Sequence, residues 1–225
     1  MRARYAPAAG PAESVKLPAM PEFRKLSPYP EITGIPTPLP VPTVNPDLVC
    51  PDGMVKVDNF CIDIYEYPNK FGSLPKNYVD WYKARELCEA EGKRLCTEDE
   101  WIRACHGTGK AGEFNRYSYG DSFIIENCNI QNTRPEPSGA FQKCKSYYGA
   151  YDMVGNVYEW VVPRSSDKPI YSLGGAYGEG AGAMCYKAGA GYQPVYYQIQ
   201  IGRASCRESV ALGGRRIINK KNTVK

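Results

Sequence analysis

The residues of this 225-residue chain best equipped for chemistry are nine cysteines: Cys50, Cys61, Cys88, Cys96, Cys105, Cys128, Cys144, Cys185 and Cys206. Thiols in this number persist as disulfides only in an oxidising compartment, so the expectation is an extracytoplasmic home: periplasmic, secreted or surface-tethered. A secretion signal is then expected upstream of Met1, because no apolar block follows Arg2 and Arg4. The single histidine, His106, follows Cys105 at the end of a helical pattern, where an imidazole more often meets terminal carbonyls than a metal, and it reads as structural. Tyrosine is the other resource. Tyr171, Tyr177, Tyr186, Tyr192, Tyr196 and Tyr197 fall among Gly174, Gly175, Gly178, Gly180 and Gly182. Tyrosine offers broad amphipathic contact at low entropic cost and glycine lets loops adapt, so Tyr177, Tyr186, Tyr192 and Tyr196 are candidates for a binding surface. Sheet packing is the competing use of the same residues.

These side chains need elements to hold them. Met54, Val55 and Val57, then Phe60, Ile62, Ile64 and Tyr65, predict two short strands around a polar turn. Cys50 and Cys61 lie at opposite ends of the first strand and turn, where a bridge would contribute about 3 kcal/mol; the alternative is that either cysteine pairs elsewhere. Asp80 precedes Trp81, Ala84, Leu87 and Cys88 at helical spacing, with Gly92 behind. Thr97 and Glu100 form a capping box before a second helix ending at Gly107, which puts Trp101 and Cys105 on one inward face, suiting Cys105 to a structural disulfide. From Gly107 to Lys145 the composition predicts long irregular loops, one bracketed by Cys128 and Cys144, which a bridge would tie down.

Eleven of the nineteen prolines fall in residues 1–49, including Pro36, Pro38, Pro40 and Pro42 at alternate positions. Such a run favours extended polyproline conformations over a core and predicts a disordered linker, with a ligand for a proline-reading module as the second reading. Residues 201–225 carry seven Lys/Arg against Glu208 alone, a local +6 that leaves −2 for residues 1–200 within the total of +4. The main body therefore offers no electrostatic case for nucleic acid or an anionic membrane, and any membrane link would come through sequence upstream. The implied partner is a protein or peptide.

The segments GKRLCTEDEW (92–101), YGAYDMVGNVYEWV (148–161) and LGGAY (173–177), with the CPDGMVKV…FCIDIYEYPN opening, resemble the bacterial branch of the formylglycine-generating enzyme, or sulfatase-modifying factor, family. The resemblance covers 50–200 and implies an α+β, C-type-lectin-like fold: two helices, small antiparallel sheets, much loop, disulfides and often calcium. It implies that Cys105 pairs with Cys185, and that Cys88 pairs within an Ile-Gly-Phe-Arg-Cys motif at the domain's end. Here the sequence departs from the pattern. Residues 201–218, IGRASCRESVALGGRRII, read as a translated sequencing-library adapter, whose bases in one frame encode Ile-Gly-Arg-Ala-Ser-Cys-Arg-Glu and, later, Gly-Gly-Arg-Arg-Ile-Ile. The expectation is a natural domain of 50–200 with its C-terminal strand truncated and a non-native tail over 201–225, leaving Cys206 without a natural role and Cys88 and Cys96 unassigned. The other reading is a genuine basic tail that binds an acidic partner.

The oxidases of this family hold copper(I) between two thiolates shortly after the Gly-Gly motif, as suits a soft ion. After Gly174 and Gly175 this chain has no cysteine before Cys185, so copper is not expected and no residue is assigned a catalytic role. A related iron-dependent branch needs several histidines on an added helical domain, which this chain lacks. Calcium is the cofactor the resemblance leaves open, through Asn156, the Val157 carbonyl and Glu159 of VGNVYEW; the alternative is that these only hydrogen-bond the loop. A second family calcium site would begin near Asn129 and Ile130, with no Asp following at a comparable place. The resulting expectation is an extracytoplasmic binding module without oxidase activity, with a formylglycine-generating oxidase, or a structural part of a surface assembly, as the other readings.

Overall fold

A computed structural model describes residues 46–110, 113–166, 169–189, 201–203 and 205–208, and for 201–208 only Cys206 is described beyond the backbone. The opening hairpin forms as its apolar spacing predicts. Strands β1 (Met54–Val57) and β2 (Phe60–Asp63) pair antiparallel, Met54 opposite Asp63 and Val57 opposite Phe60. Every residue of β2 is buried, because it lies inside a four-stranded sheet rather than at its edge. The chain enters this hairpin earlier than Cys50: Leu48 is buried against Met54 and Cys61, and Lys56 Nζ donates to the Pro46 carbonyl at 2.9 Å. The rest of the proline-rich linker lies outside the described residues.

Helix α1 (Trp81–Ala90) starts where Asp80 accepts a hydrogen bond from the Lys83 amide at 2.7 Å. Strand β3 (Arg94–Leu95) leads into α2 (Glu98–His106), capped by the reciprocal pair Thr97 and Glu100. Arg94 clamps the Glu100 carboxylate from both guanidinium ends, at 2.7 and 2.6 Å. Trp101 and Cys105 are fully buried on the inward face of α2, as their spacing requires. The long loops run on to β4 (Tyr158–Trp160) and β5 (Ser172–Leu173).

Beyond Gln200 two further strands are described. Residues Ile201–Arg203 form β6, parallel to β4, and Ser205–Glu208 form β7, antiparallel to β2 and β3. The sheets are therefore ordered β1-β2-β7-β3 and β5-β4-β6. Strand pairing asks only for extended backbone and a free ladder edge, and β2, β3 and β4 each present one.

Four disulfides staple the fold. Cys50–Cys61, Cys105–Cys185 and Cys128–Cys144 form as expected. The fourth joins Cys96 to Cys206, with Cα atoms 4.8 Å apart, where the resemblance gave the domain's last cysteine to Cys88. In the ladder Cys206 faces Arg94 and Ser205 faces Leu95, so the bridge runs diagonally from β7 to Cys96, two residues along the chain from Arg94. Cys88, buried on α1, takes part in none of the four.

Candidate functional site

The Gly-Gly motif after β5 meets the core directly. Gly174 has φ +95°, and a Cβ there would lie 2.7 Å from the Met153 carbonyl and 3.2 Å from the Trp101 ring, so only glycine fits. The following loop is pinned by backbone bonds, Tyr177 N–H to the Asn156 carbonyl at 3.1 Å and Gly180 N–H to the Ile130 carbonyl at 2.7 Å. The Tyr158 hydroxyl donates to Glu179 Oε1 at 2.5 Å. The segment ends at Cys185, whose sulfur is bonded to Cys105.

Beneath this loop lies a cluster the sequence reading missed. Glu66, Asp152 and Glu159 are all buried. Glu66 accepts from Ser138 Oγ at 2.9 Å, Asn156 Nδ2 at 2.6 Å and the Val157 amide at 3.3 Å, so one carboxylate ties three loops together. Asp152 accepts from the Gly139 amide at 2.6 Å, and Glu159 from the Trp101 indole at 2.5 Å. Desolvation raises all three carboxyls, and the neighbouring acids add to it for Glu66 and Glu159: Asp152 rises to about 7, Glu159 to about 8 and Glu66 well above the carboxylate range. Glu66 gave no sequence signal, because it lies between two tyrosines in a segment read only for its apolar neighbours.

Two of the candidate calcium ligands, Asn156 and Glu159, also take part in this network. Asn156 Oδ1 already accepts from Asn129 Nδ2 at 2.8 Å and from the Glu136 amide at 2.9 Å, while Glu159 turns to Trp101. Among the described residues no group of three His, Cys, Asp or Glu side chains is arranged to hold a metal. Asn156 and Glu159 therefore both hydrogen-bond within the loop network, through Asn129, Glu136 and Trp101. Asn129 donates to both Asn156 and the Arg134 carbonyl, and the Ile130 carbonyl is taken by Gly180.

The candidate binding tyrosines separate. Tyr186, half exposed, lines a groove of 420 Å³ together with Glu98, Ile102, Pro169, Tyr171 and Leu173. Its hydroxyl meets His106 Nδ1 at 3.1 Å, and burial followed by the Arg103 charge lowers that imidazole to about 4, so the ring is uncharged at neutral pH. His106 also packs on Phe114 with ring centroids 4.5 Å apart. Tyr177 is not among the groove residues, and Tyr192 and Tyr196 lie outside the described residues.

A model of the sulfatase-modifying factor enzyme 1-like domain matches residues 50–223. The hercynine oxygenase of Mycolicibacterium smegmatis is 36% identical over 92 residues, 40% of this chain and 22% of its own length. The inactive C-alpha-formylglycine-generating enzyme 2 of Bos taurus is 35% identical over 118 residues, 46% of this chain and 38% of its own. The chain thus spans well under half the length of these relatives. Among solved structures, the U1 variant of the Major Tropism Determinant shares the fold at 15% identity, with a TM-score of 0.51 over 74% of this chain and 55% of that one.

Proposed function

The chain belongs to the sulfatase-modifying factor enzyme 1-like domain family, and from that premise we propose that its domain is an extracytoplasmic binding module that has lost the family's oxidase chemistry. One observation carries the reading. Between Gly174 and Cys185 the only thiol is that of Cys185, and it is spent on the disulfide with Cys105. A copper(I) centre built on two thiolates has no donors in that stretch, and neither hydroxyl nor carboxylate replaces a soft ligand.

What the fold keeps is the scaffold: the Gly-Gly turn against Trp101, the carboxylate network below it, and the tyrosine-bearing groove beside α2. A groove with apolar walls and a few polar groups is the common form of a ligand site. Four disulfides require an oxidising compartment in which to form, which accords with a periplasmic, secreted or surface-tethered protein. The relative from Bos taurus, named inactive, is a precedent within the family for a protein named by lost activity.

The test is copper(I) titration of the oxidatively folded full chain, read beside oxygen-dependent turnover of a sulfatase-derived cysteine peptide. No stoichiometric copper and no turnover by a folded protein is the expected result. Tight one-to-one copper with peptide oxidation would overturn the reading.

A further inference from the structure

Between β2 and α1 the chain makes a closed loop that has no part in the groove or the Gly-Gly turn. Lys76 N–H donates to the Tyr67 carbonyl at 2.8 Å and closes it. Within it Ser73 N–H donates to the Lys70 carbonyl at 3.2 Å around Gly72 at φ +75°, a tight turn with Phe71 at its corner. The turn is braced against the body: Gly72 N–H donates to the Ser138 carbonyl at 3.0 Å, Ser138 N–H returns to the Ser73 carbonyl at 2.9 Å, and the Ser138 hydroxyl donates to buried Glu66. Yet Phe71 is 59% exposed and Leu74 62%, their Cα atoms within about 10 Å because only three residues separate them. Tyr78, just past the closure, is 53% exposed. Bulky apolar side chains held in water by a well-bonded backbone mark a contact surface.

The charge around these side chains is of one sign. Residues 67–79 carry Lys70 and Lys76, both exposed, and no acid. The ion-paired lysines among the described residues are Lys83, Lys93 and Lys110, so neither loop charge is neutralised. Glu66, just ahead of the loop, spends its oxygens inward on Ser138, Asn156 and Val157. A third cation, Lys145, caps the aromatic row on which Phe71 rests: its Nζ lies 5.2 Å from the Tyr151 ring centre, Tyr151 stacks on Tyr65 at 5.2 Å, and Tyr65 meets Phe71 at 5.8 Å. The −2 of residues 1–200 is therefore an average from which this surface departs. Aromatic and aliphatic side chains standing among unpaired lysines match a lipid interface, where apolar groups enter between headgroups and lysines meet the anionic ones. A fluid interface also moulds to side chains that stand out singly and needs no preformed pocket. We propose that the loop 67–76 docks this domain onto a membrane surface containing anionic lipid, with Phe71 and Leu74 entering the interface and Lys70 and Lys76 meeting the headgroups.

The experiment uses the oxidatively folded full chain carrying Phe71→Trp, read by acrylamide quenching. Trp81, Trp101 and Trp160 are buried, so acrylamide reads the introduced indole. Vesicles of phosphatidylcholine with about one-third phosphatidylglycerol are expected to shield it, cutting the quenching about two-fold or more, while phosphatidylcholine alone leaves it open. In that background Lys70→Gln and Lys76→Gln are each expected to weaken the vesicle affinity read from the shielding about five-fold, and Leu74→Ser to weaken it about ten-fold or more. All three residues are exposed, so the melting temperature is expected to stay unchanged. Vesicle binding that leaves the indole open to acrylamide assigns the contact to the basic segment 201–225 and overturns the proposal. Equal shielding by both kinds of vesicle, or an affinity indifferent to the lysine substitutions, overturns it as well. Shielding by soluble polyglutamate and not by vesicles marks an acidic protein partner in place of lipid, and likewise overturns it. None of these readouts depends on copper, oxidase activity or the groove beside α2.

Discussion

Glu159 shows how one residue can carry two readings until its surroundings are known. In VGNVYEW it looks like an oxygen donor for a hard cation, yet its carboxylate accepts from the Trp101 indole in a buried setting with Asp152 and Asp63 nearby. Its acid group is raised to about 8, and that of Asp152 to about 7. A carboxyl raised on folding holds its proton longer in the native state than in the unfolded chain, so the stability it brings is present at low pH and is lost as pH rises through the folded value. His106 works in the opposite sense, since its lowered value favours the native state as pH rises, but that contribution is complete once the unfolded imidazole has titrated near 6.5. The slope above that point belongs to the acids. The melting temperature is expected to fall between about pH 6.5 and 8.5, and Glu159→Gln, which still offers an oxygen to Trp101, is expected to flatten the fall. A wild-type melting curve independent of pH across that window would refute the assignment.

At the scale of elements, the legible parts of the sequence were those with local signals. The capping box of α2 is one: Thr97 and Glu100 can be recognised because cap residues three apart satisfy each other's amides without help from the rest of the chain. Thr97→Ala is expected to cost about 1 kcal/mol, read as a shift in the denaturation midpoint. The hairpin β1–β2 and helix α1 were legible for the same reason, as periodicity and an N-cap are written within a few residues. The Cys128–Cys144 bridge was legible because the two residues bracket one loop. The carboxylate network was not. Glu66 meets Ser138, Asn156 and Val157 across 72 to 91 positions of chain, and no local pattern marks such a meeting. The pairing of Cys96 was hidden likewise, because it depends on which strand β7 adopts as a neighbour.

For the whole molecule, the strands that complete both sheets are built from the adapter-like residues 201–208. The source locus is expected to diverge from this sequence after Gln200 and to supply its own strand there with a cysteine, because a strand between β2 and β3 brings its residues within disulfide reach of Cys96, as Cys206 does here. An uninterrupted genomic reading frame through Lys225 would sink that expectation. The bridges also decide how the protein responds to proteases. The turn around Phe123, Ile124 and Ile125 exposes all three side chains to solvent and offers an obvious place to cut. A single cut there separates Cys96 and Cys105 from Cys206 and Cys185 along the backbone, yet both pairs remain joined through sulfur. The nicked chain therefore stays one molecule until a reductant reaches it, and damage in the loops is survivable for as long as the surroundings remain oxidising.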